Sequence, residues 1–350
     1  MKKLIIIAFL FGFSNIFGQT IVTSGLNWPL GIINKNNYLY IAESASGKIL
    51  KIDLNTQNPT PTTVVNGLSR PNHFSLKDNF LYFTEYEEGR ISRININETN
   101  PVSVVVLKDL TMPEDLVLFG NTLFYSEFSL GKISKIDITQ NNPIPVTVID
   151  GLDTPYGLEI SDNNLYFSEH YGNKISKIDI TQNDAFPVTI IDELNGPISG
   201  MKIKDSYLYF YENYTNSISK IDITTSSPMV INIDSGFHAG DFEFIGNDMF
   251  VSDVQNGVIR RYLNIAETLL SLDNHLLTKP MTLFPNPSKD FIEILDLKES
   301  VDYKIYNLLG VEICNGNISS NRKIDIQNLE MGQYFINFSN GKNMMKFIKN

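Results

Sequence analysis

The chain of 350 residues is poor in several things, and each shortage removes a class of protein. It has one cysteine, Cys314, so no intrachain disulfide can form and packing must hold the fold. No nucleophile elbow, phosphate-cradling glycine loop or spaced Cys/His metal motif occurs in it. Cations are scarce: 28 Lys and Arg against 39 Asp and Glu give a net charge of −11. Nucleic-acid partners are therefore excluded, because a phosphate backbone needs cationic neutralisation. Long hydrophobic runs are missing too. The longest, Leu4–Phe13, is too short to span a bilayer as a helix, so no transmembrane span is expected.

What the chain has is a repeat. An apolar-aromatic run ending in an acid recurs six times at a spacing close to 42 residues. It reads Leu39-Tyr40-Ile41-Ala42-Glu43, Leu81-Tyr82-Phe83-Thr84-Glu85, Leu123-Phe124-Tyr125-Ser126-Glu127, Leu165-Tyr166-Phe167-Ser168-Glu169, Leu208-Tyr209-Phe210-Tyr211-Glu212 and Met249-Phe250-Val251-Ser252-Asp253. A repeat of this length, made of short Ile-, Val-, Tyr- and Phe-rich segments between Gly, Asn and Pro, signals an all-β, six-bladed β-propeller. In one unit the expected strands are Asp115–Leu118, Thr122–Glu127, Lys132–Ile138 and Val146–Asp150, with Gly131 in a hairpin turn. The segments Ile133–Thr147 and Ile175–Thr189 are nearly identical, which marks them as copied structural units.

The sixth unit lacks a fourth strand after Ile259–Leu263. Thr20–Leu26 lies 42 residues before the outer-strand segment Thr62–Leu68, so the N-terminal segment is expected to close the ring as the outer strand of the last blade. The six strand-end acids invite a metal or acid/base reading. A carboxylate at one position in every unit is better read as structural, accepting backbone N–H bonds from a neighbouring turn.

These residues carry a resemblance. Tyr82-Phe83-Thr84-Glu85, Tyr166-Phe167-Ser168-Glu169 and Tyr125-Ser126-Glu127 resemble the Tyr-Trp-Thr-Asp repeat of six-bladed propellers in lipoprotein-receptor ectodomains, and the bacterial NHL- and TolB-like propellers. The likeness covers roughly residues 20–264. It departs in having Phe, Ile or Tyr for Trp and Glu for Asp, so it implies a fold and transfers no ligand.

Both ends read as addresses. Lys2-Lys3, the run Leu4–Phe13 and Gly18 before Gln19 form a secretory signal peptide pattern over residues 1–18, with the propeller at 19–264. A Leu-rich linker is expected at 265–279 and a small Ig-like sandwich of six or seven strands at 280–350. Its landmarks are Pro285-Asn286-Pro287, Tyr306-Asn307-Leu308-Leu309-Gly310, Gly332-Gln333-Tyr334 and the basic end Lys346-Phe347-Ile348-Lys349. In that order they are similar to the type A C-terminal sorting domain of the type IX secretion system in Bacteroidetes. The resemblance implies passage through the type IX machinery, with Pro285, Asn286, Pro287, Gly332, Tyr334, Lys346 and Lys349 as the sorting signal. It further implies release, or retention on the cell surface.

Candidate ligand residues are those on the loop-bearing face that differ from blade to blade. They are His73, Tyr86, Glu114, Asp115, Tyr156, His170, Tyr171 and Asp241, set among prolines that do repeat, Pro29 to Pro197. Rings stack on sugars or cations, and carboxylates bind hydroxyls or Ca²⁺. Three classes stay open: a non-catalytic binding module for a glycan, peptide or protein; a lactonase- or lyase-like propeller enzyme with a channel cation; and a structural adhesin. The first is preferred, with no catalytic residue named and no cofactor beyond a possible Ca²⁺.

Overall fold

The structure, a computed structural model, describes residues 19–182, 186–197, 200–265, 282–295, 300–307, 311–319, 323–338 and 345–350. The expected signal segment 1–18 and nearly all of the expected linker lie outside them. The chain divides into two compact units, Met1–Glu267 and Thr268–Asn350.

The first unit is built from four-stranded antiparallel sheets. After β1 (Gln19–Ser24), the first sheet runs β2 (Pro29–Lys35), β3 (Tyr38–Glu43), β4 (Lys48–Asp53) and β5 (Thr62–Val65). The second is β6 (Pro71–Lys77), β7 (Phe80–Glu85), β8 (Arg90–Asn95) and β9 (Val104–Leu107). The third is β10 (Pro113–Phe119), β11 (Thr122–Glu127), β12 (Lys132–Asp137) and β13 (Val146–Ile149). The fourth is β14 (Pro155–Ser161), β15 (Asn164–Glu169), β16 (Lys174–Asp179) and β17 (Val188–Ile191). The fifth is β18 (Lys202–Lys204), β19 (Tyr207–Glu212), β20 (Ser217–Asp222) and β21 (Ile231–Ser235). In the last, β22 (Ala239–Ile245), β23 (Asp248–Asp253) and β24 (Val258–Tyr262) are completed by β1. Each first strand packs on that of the next sheet, and β22 packs on β2, so the cycle closes.

Closure is by hydrogen bonding as well as packing. β1 pairs antiparallel with β24 from Gln19 opposite Tyr262 to Ser24 opposite Val258, as the missing sixth outer strand required. The Gln19 side chain adds a bond to the Tyr262 hydroxyl at 2.9 Å.

Adjacent sheets meet through separate apolar clusters rather than one common core. Phe124 and Phe167 lie between the third and fourth sheets, Tyr166 and Phe210 between the fourth and fifth, and Ile41 with Phe250 across the closing junction. Each buried aromatic contributes about 1.5–3 kcal/mol. The motif's alternation explains why: Tyr166 and Phe167 point to opposite faces of one strand and so serve two neighbours.

Strand ends in the third sheet fall at Phe119, Asp137 and Ile149, each one residue from the expected end, and one start differs by more. The innermost strand of the third sheet begins at Pro113, opposite Glu127, and not at Asp115. Proline is tolerated there because the first residue of a strand needs no ladder N–H. Between Pro113 and Leu116 the register shifts, and the same bulge recurs in four other sheets.

Among the described residues, the second unit has seven strands in two sheets. β25 (Thr282–Phe284), β26 (Phe291–Leu295) and β29 (Lys323–Asp325) form one; β28 (Glu312–Ile318), β27 (Val301–Asn307), β30 (Gly332–Phe338) and β31 (Met345–Lys349) form the other, in that spatial order. Ile292, Ile305, Ile324, Ile336 and Phe347 make its core.

Candidate functional site

The strand-end acids are structural. Each of five glutamates accepts a backbone N–H from the loop entering its own sheet: Asn27 to Glu43, Ser69 to Glu85, Thr111 to Glu127, Asp153 to Glu169 and Asn195 to Glu212, at 2.8–3.1 Å. A cation at the start of the third strand often joins. Arg90 grips Glu85 with two bonds of 2.7 Å, and Lys132 and Lys174 approach Glu127 and Glu169. Burial alone would raise the Glu85 carboxyl, but Arg90, Ser92 and the Ser69 amide hold it below the usual range.

The hydroxyl before the acid has a second task. Ser126 Oγ accepts the Asp115 amide at 3.1 Å, inside the bulge, and donates to the Tyr156 carbonyl of the next sheet at 2.7 Å. Ser252 repeats this with Asp241 and Leu30, and Thr84 donates to the Glu114 carbonyl. The Asp115 and Asp241 amides inside the bulges are thereby satisfied, and neighbouring sheets are tied together.

Among the expected site residues, the structure makes a division. His73, Asp115 and Asp241 line a narrow cavity of about 60 Å³ in the channel, with Ser75, Glu159 and Lys202. Tyr86, Glu114, Tyr156, His170 and Tyr171 line a wider basin of about 260 Å³, with Trp28, Arg70, Asn72, Phe128 and His238. Adjacent residues on one strand, such as Glu114 and Asp115, thus go to different cavities.

In the channel the carboxylates bond to backbone. Asp115 accepts the Leu116 amide at 2.7 Å and that of Leu158, in the next sheet, at 2.8 Å. Asp241 accepts Phe242 at 2.8 Å and, across the closing junction, Ile32 at 2.9 Å. Glu243 and Ser75 make similar bonds to Asn34 and Leu118. These side chains satisfy amides on the open edges of β2, β10, β14 and β22, which have no strand partner on that side.

Lys202, Glu159 and Glu243 were not among the sequence candidates. Glu159 and Glu243 lie in the second half of β14 and β22 and Lys202 opens β18, where nothing but the folded ring shows their neighbours. Burial pulls Lys202 down, yet Glu159, Asp241, Glu243 and Asp115 outweigh it and hold the ammonium well above its usual value. Burial pushes Glu159 and Glu243 up to about 7. His73 is lowered by burial but raised more by Asp115, Asp241 and Glu114, so it ends above its ordinary value. Among the described residues, no three His, Cys, Asp or Glu side chains converge to hold a metal ion.

The basin is aromatic and more open. Phe128 meets Tyr156 edge-on with ring centres 5.8 Å apart, and His170 contacts Tyr171 and Tyr214 at 4.8 and 5.3 Å. Tyr211 stacks on His238 at 5.4 Å, and Arg70 lies over Tyr86 at 5.3 Å. Trp28, Tyr171 and Tyr214 are about half exposed, at 48%, 58% and 55%. Glu114 is buried, accepts Asn72 Nδ2 at 3.1 Å, and takes a bond from the Tyr156 hydroxyl. Burial pushes its carboxyl up to about 7 despite His73, Tyr156 and Asn72. Burial lowers both His170 and His238, which favours the neutral imidazole. The site therefore offers ring faces, imidazoles, the Arg70 guanidinium, the Asn72 amide and one buried acid.

Comparison with known proteins decides the tail. Residues 282–350 match the secretion system C-terminal sorting domain. The second unit is a sorting domain. The sorting domain accounts for the landmarks from Pro285 onward, and its presence supports secretion. Residues 12–155 match a repeat of unknown function (DUF6923), as a propeller of copied units would. No curated protein matches the chain.

Solved structures similar to the chain are β-propellers. A gluconolactonase from Xanthomonas campestris aligns at 13% identity over 70% of this chain and 89% of that one, with a TM-score of 0.59. Virginiamycin B lyase from Staphylococcus aureus aligns at 15% identity over 70% and 98%, with a TM-score of 0.53. A chain of a nidogen/laminin complex aligns at 17% identity over 57% and 78%, with a TM-score of 0.51. At these identities the likeness is one of fold.

Proposed function

We propose that the protein is an exported, non-catalytic binding module: a six-bladed propeller that takes a neutral sugar ring of a glycan in its aromatic basin, carried out of the cell by its sorting domain. The six sheets are its blades and the tail an Ig-like sandwich. Residues 1–18 direct it across the inner membrane, and the type IX machinery delivers it to the surface or the medium.

The observation that carries this reading is the contrast in polar satisfaction. The Asp115 and Asp241 carboxylates are each bonded to two backbone amides, while the basin keeps exposed ring surface beside hydrogen-bonding side chains such as Asn72 and His238. Aromatic faces pack on the C–H faces of sugars, and amides and imidazoles bond hydroxyls. At about 260 Å³ the basin is below the range for drug-sized ligands, which suits one ring. Residues 19–264 hold 17 Lys and Arg against 29 Asp and Glu, which disfavours an anionic ligand.

A second reading has one observation in its favour. A buried Glu114 near pH 7, in an open basin, is poised for general acid/base work. This enzyme reading is the lactonase- or lyase-like alternative, and a Ca²⁺ requirement belongs with it.

A glycan array probed with the mature full-length protein, followed by calorimetry on the hits, tests the proposal. Binding of neutral glycans, lost in Tyr171→Ala and unchanged by EDTA, supports it. Ca²⁺-dependent thermal stabilisation together with turnover abolished by Glu114→Gln would replace it with the enzyme. Absence of binding to any glycan rejects the ligand class.

A further inference from the structure

Two stretches of the sorting domain that lie 60 residues apart in sequence are one physical unit. β31 is the edge of its sheet, with β30 on one side and an open edge on the other. An unpaired edge exposes a row of N–H and C=O groups. Here the segment Asn286-Pro287-Ser288 covers that edge. Asn286 Oδ1 accepts the Ile348 amide at 2.9 Å, and Asn286 Nδ2 donates to the Lys346 carbonyl at 3.1 Å. The side-chain amide thus takes the place of a peptide group in a neighbouring strand. Ser288 continues the row through its backbone: its N–H donates to the Ile348 carbonyl and its carbonyl accepts the Asn350 amide, both at 2.9 Å. Pro287 between them has no N–H to leave unpaired. On the inner side, Phe347 is fully buried and stacked on Tyr334 at 5.6 Å.

We propose that Asn286 is a positioning residue that locks the C-terminal strand onto the sorting domain, and that the export machinery reads this docked strand rather than a free tail. The proposal rests on the export role of the tail. Neither stretch predicts the other from sequence; the bond pattern joins them. Lys346 and Ile348 then sit at fixed places on the outer face of the last strand, with the interior anchored by Phe347.

The test uses the full-length protein in a bacterium with type IX machinery, and the same purified chain for hydrogen exchange. Asn286→Ala removes both side-chain bonds. Exchange over residues 345–350 is expected to rise about 5–30-fold, the loss of one to two net hydrogen bonds. The propeller's thermal midpoint should stay unchanged, and the exported fraction should fall as the protein accumulates in the periplasm. Asn286→Asp keeps the acceptor for Ile348 but sets a carboxylate against the Lys346 carbonyl, and should give an intermediate result in both readouts. Ser288→Ala loses a hydroxyl bond to the Phe291 carbonyl but keeps its backbone bonds to β31, so exchange over 345–350 and export should change less than in Asn286→Ala. Unchanged exchange in Asn286→Ala overturns the lock; faster exchange with normal export overturns the docked-strand reading. A chain lacking 343–350 separates the two levels. If it is still exported, the export role of the tail fails and the proposal with it; if it is retained, export through Asn286→Ala counts against the proposal alone.

Discussion

The channel and the basin are lined by neighbouring residues of the same strands, yet they are different kinds of surface. Asn72 and His73, Glu114 and Asp115, Tyr156 and Gly157 are adjacent pairs in which the first member faces the basin. Of the second members, His73 and Asp115 line the channel, and Gly157 gives its amide to Ser168 within the bulge. The channel carboxylates bond to backbone of their own and the next sheet. The basin side chains mostly touch one another. The ring is held together from inside, which leaves the mouth free to vary. A buried acid near the axis of such a molecule is therefore weak evidence of chemistry until its hydrogen-bond partners are known.

Opening the ring should disturb channel and basin most. Deleting Thr20–Ser24 removes the partner of β24 and exposes the apolar junction that holds Ile41 and Phe250. A fall in thermal midpoint of roughly 10 °C or more is expected, with channel and basin lost together. An unchanged midpoint by calorimetry would refute closure through β1.

Next in size are the channel aspartates. Asp115→Ala and Asp241→Ala each strand two amides, one of them in the next sheet. Each should cost about 2–4 kcal/mol by urea unfolding. Basin binding, measured where the protein is still folded, should persist. A variant that unfolds normally but cannot bind would move that aspartate from scaffold to site.

Much of this was legible in the sequence, and the part that was not has a physical reason. The repeat, the closing strand and the structural role of Glu85 and its equivalents follow from period and position, which a linear reading can see. The division of the candidates does not. His73 and Asp115 were expected on the open face with Tyr86 and Glu114. In a strand a one-residue step reverses direction, and the bulge after Pro113 shifts that alternation. Lys202 was hidden for another reason: its carboxylate neighbours come from three other segments of chain, so only closure brings them together. The partnership of Asn286 with Ile348 was hidden likewise, although both motifs stood out singly.

The buried acids make folding depend on pH. Glu114, Glu159 and Glu243 sit near 7 in the folded chain against an ordinary 4.5, so the folded state keeps protons that the unfolded state has released. Stability should fall as pH rises from about 4.5 to 7 and level off above that. His73, held above its ordinary 6.5, acts in the same direction just above that value. Glu114→Gln should remove at most about 3 kcal/mol of the fall, leaving the share of the channel acids. Denaturant midpoints at pH 5 and pH 8 measure it. Equal midpoints in the unaltered protein would mean that these acids are ionised in a wetter interior.

The smallest effect on stability is expected where the largest effect on binding is. Trp28 and Tyr171 come from different blades, are about half exposed, and reach the basin from its rim. Exposed positions away from caps and buried networks change stability by within about 0.5 kcal/mol, so Trp28→Ala and Tyr171→Ala should unfold almost as the unaltered protein does. A ring that stacks on a bound group is worth far more to the complex, and truncating either should weaken glycan binding at least tenfold, about 1.4 kcal/mol. The double variant separates two outcomes. If both rings grip one sugar, their losses should couple and fall short of the sum; if they serve separate subsites, the losses should add. A Tyr171→Ala variant that loses stability and keeps binding would make the basin another piece of scaffold, and the ligand would have to be sought elsewhere on the ring.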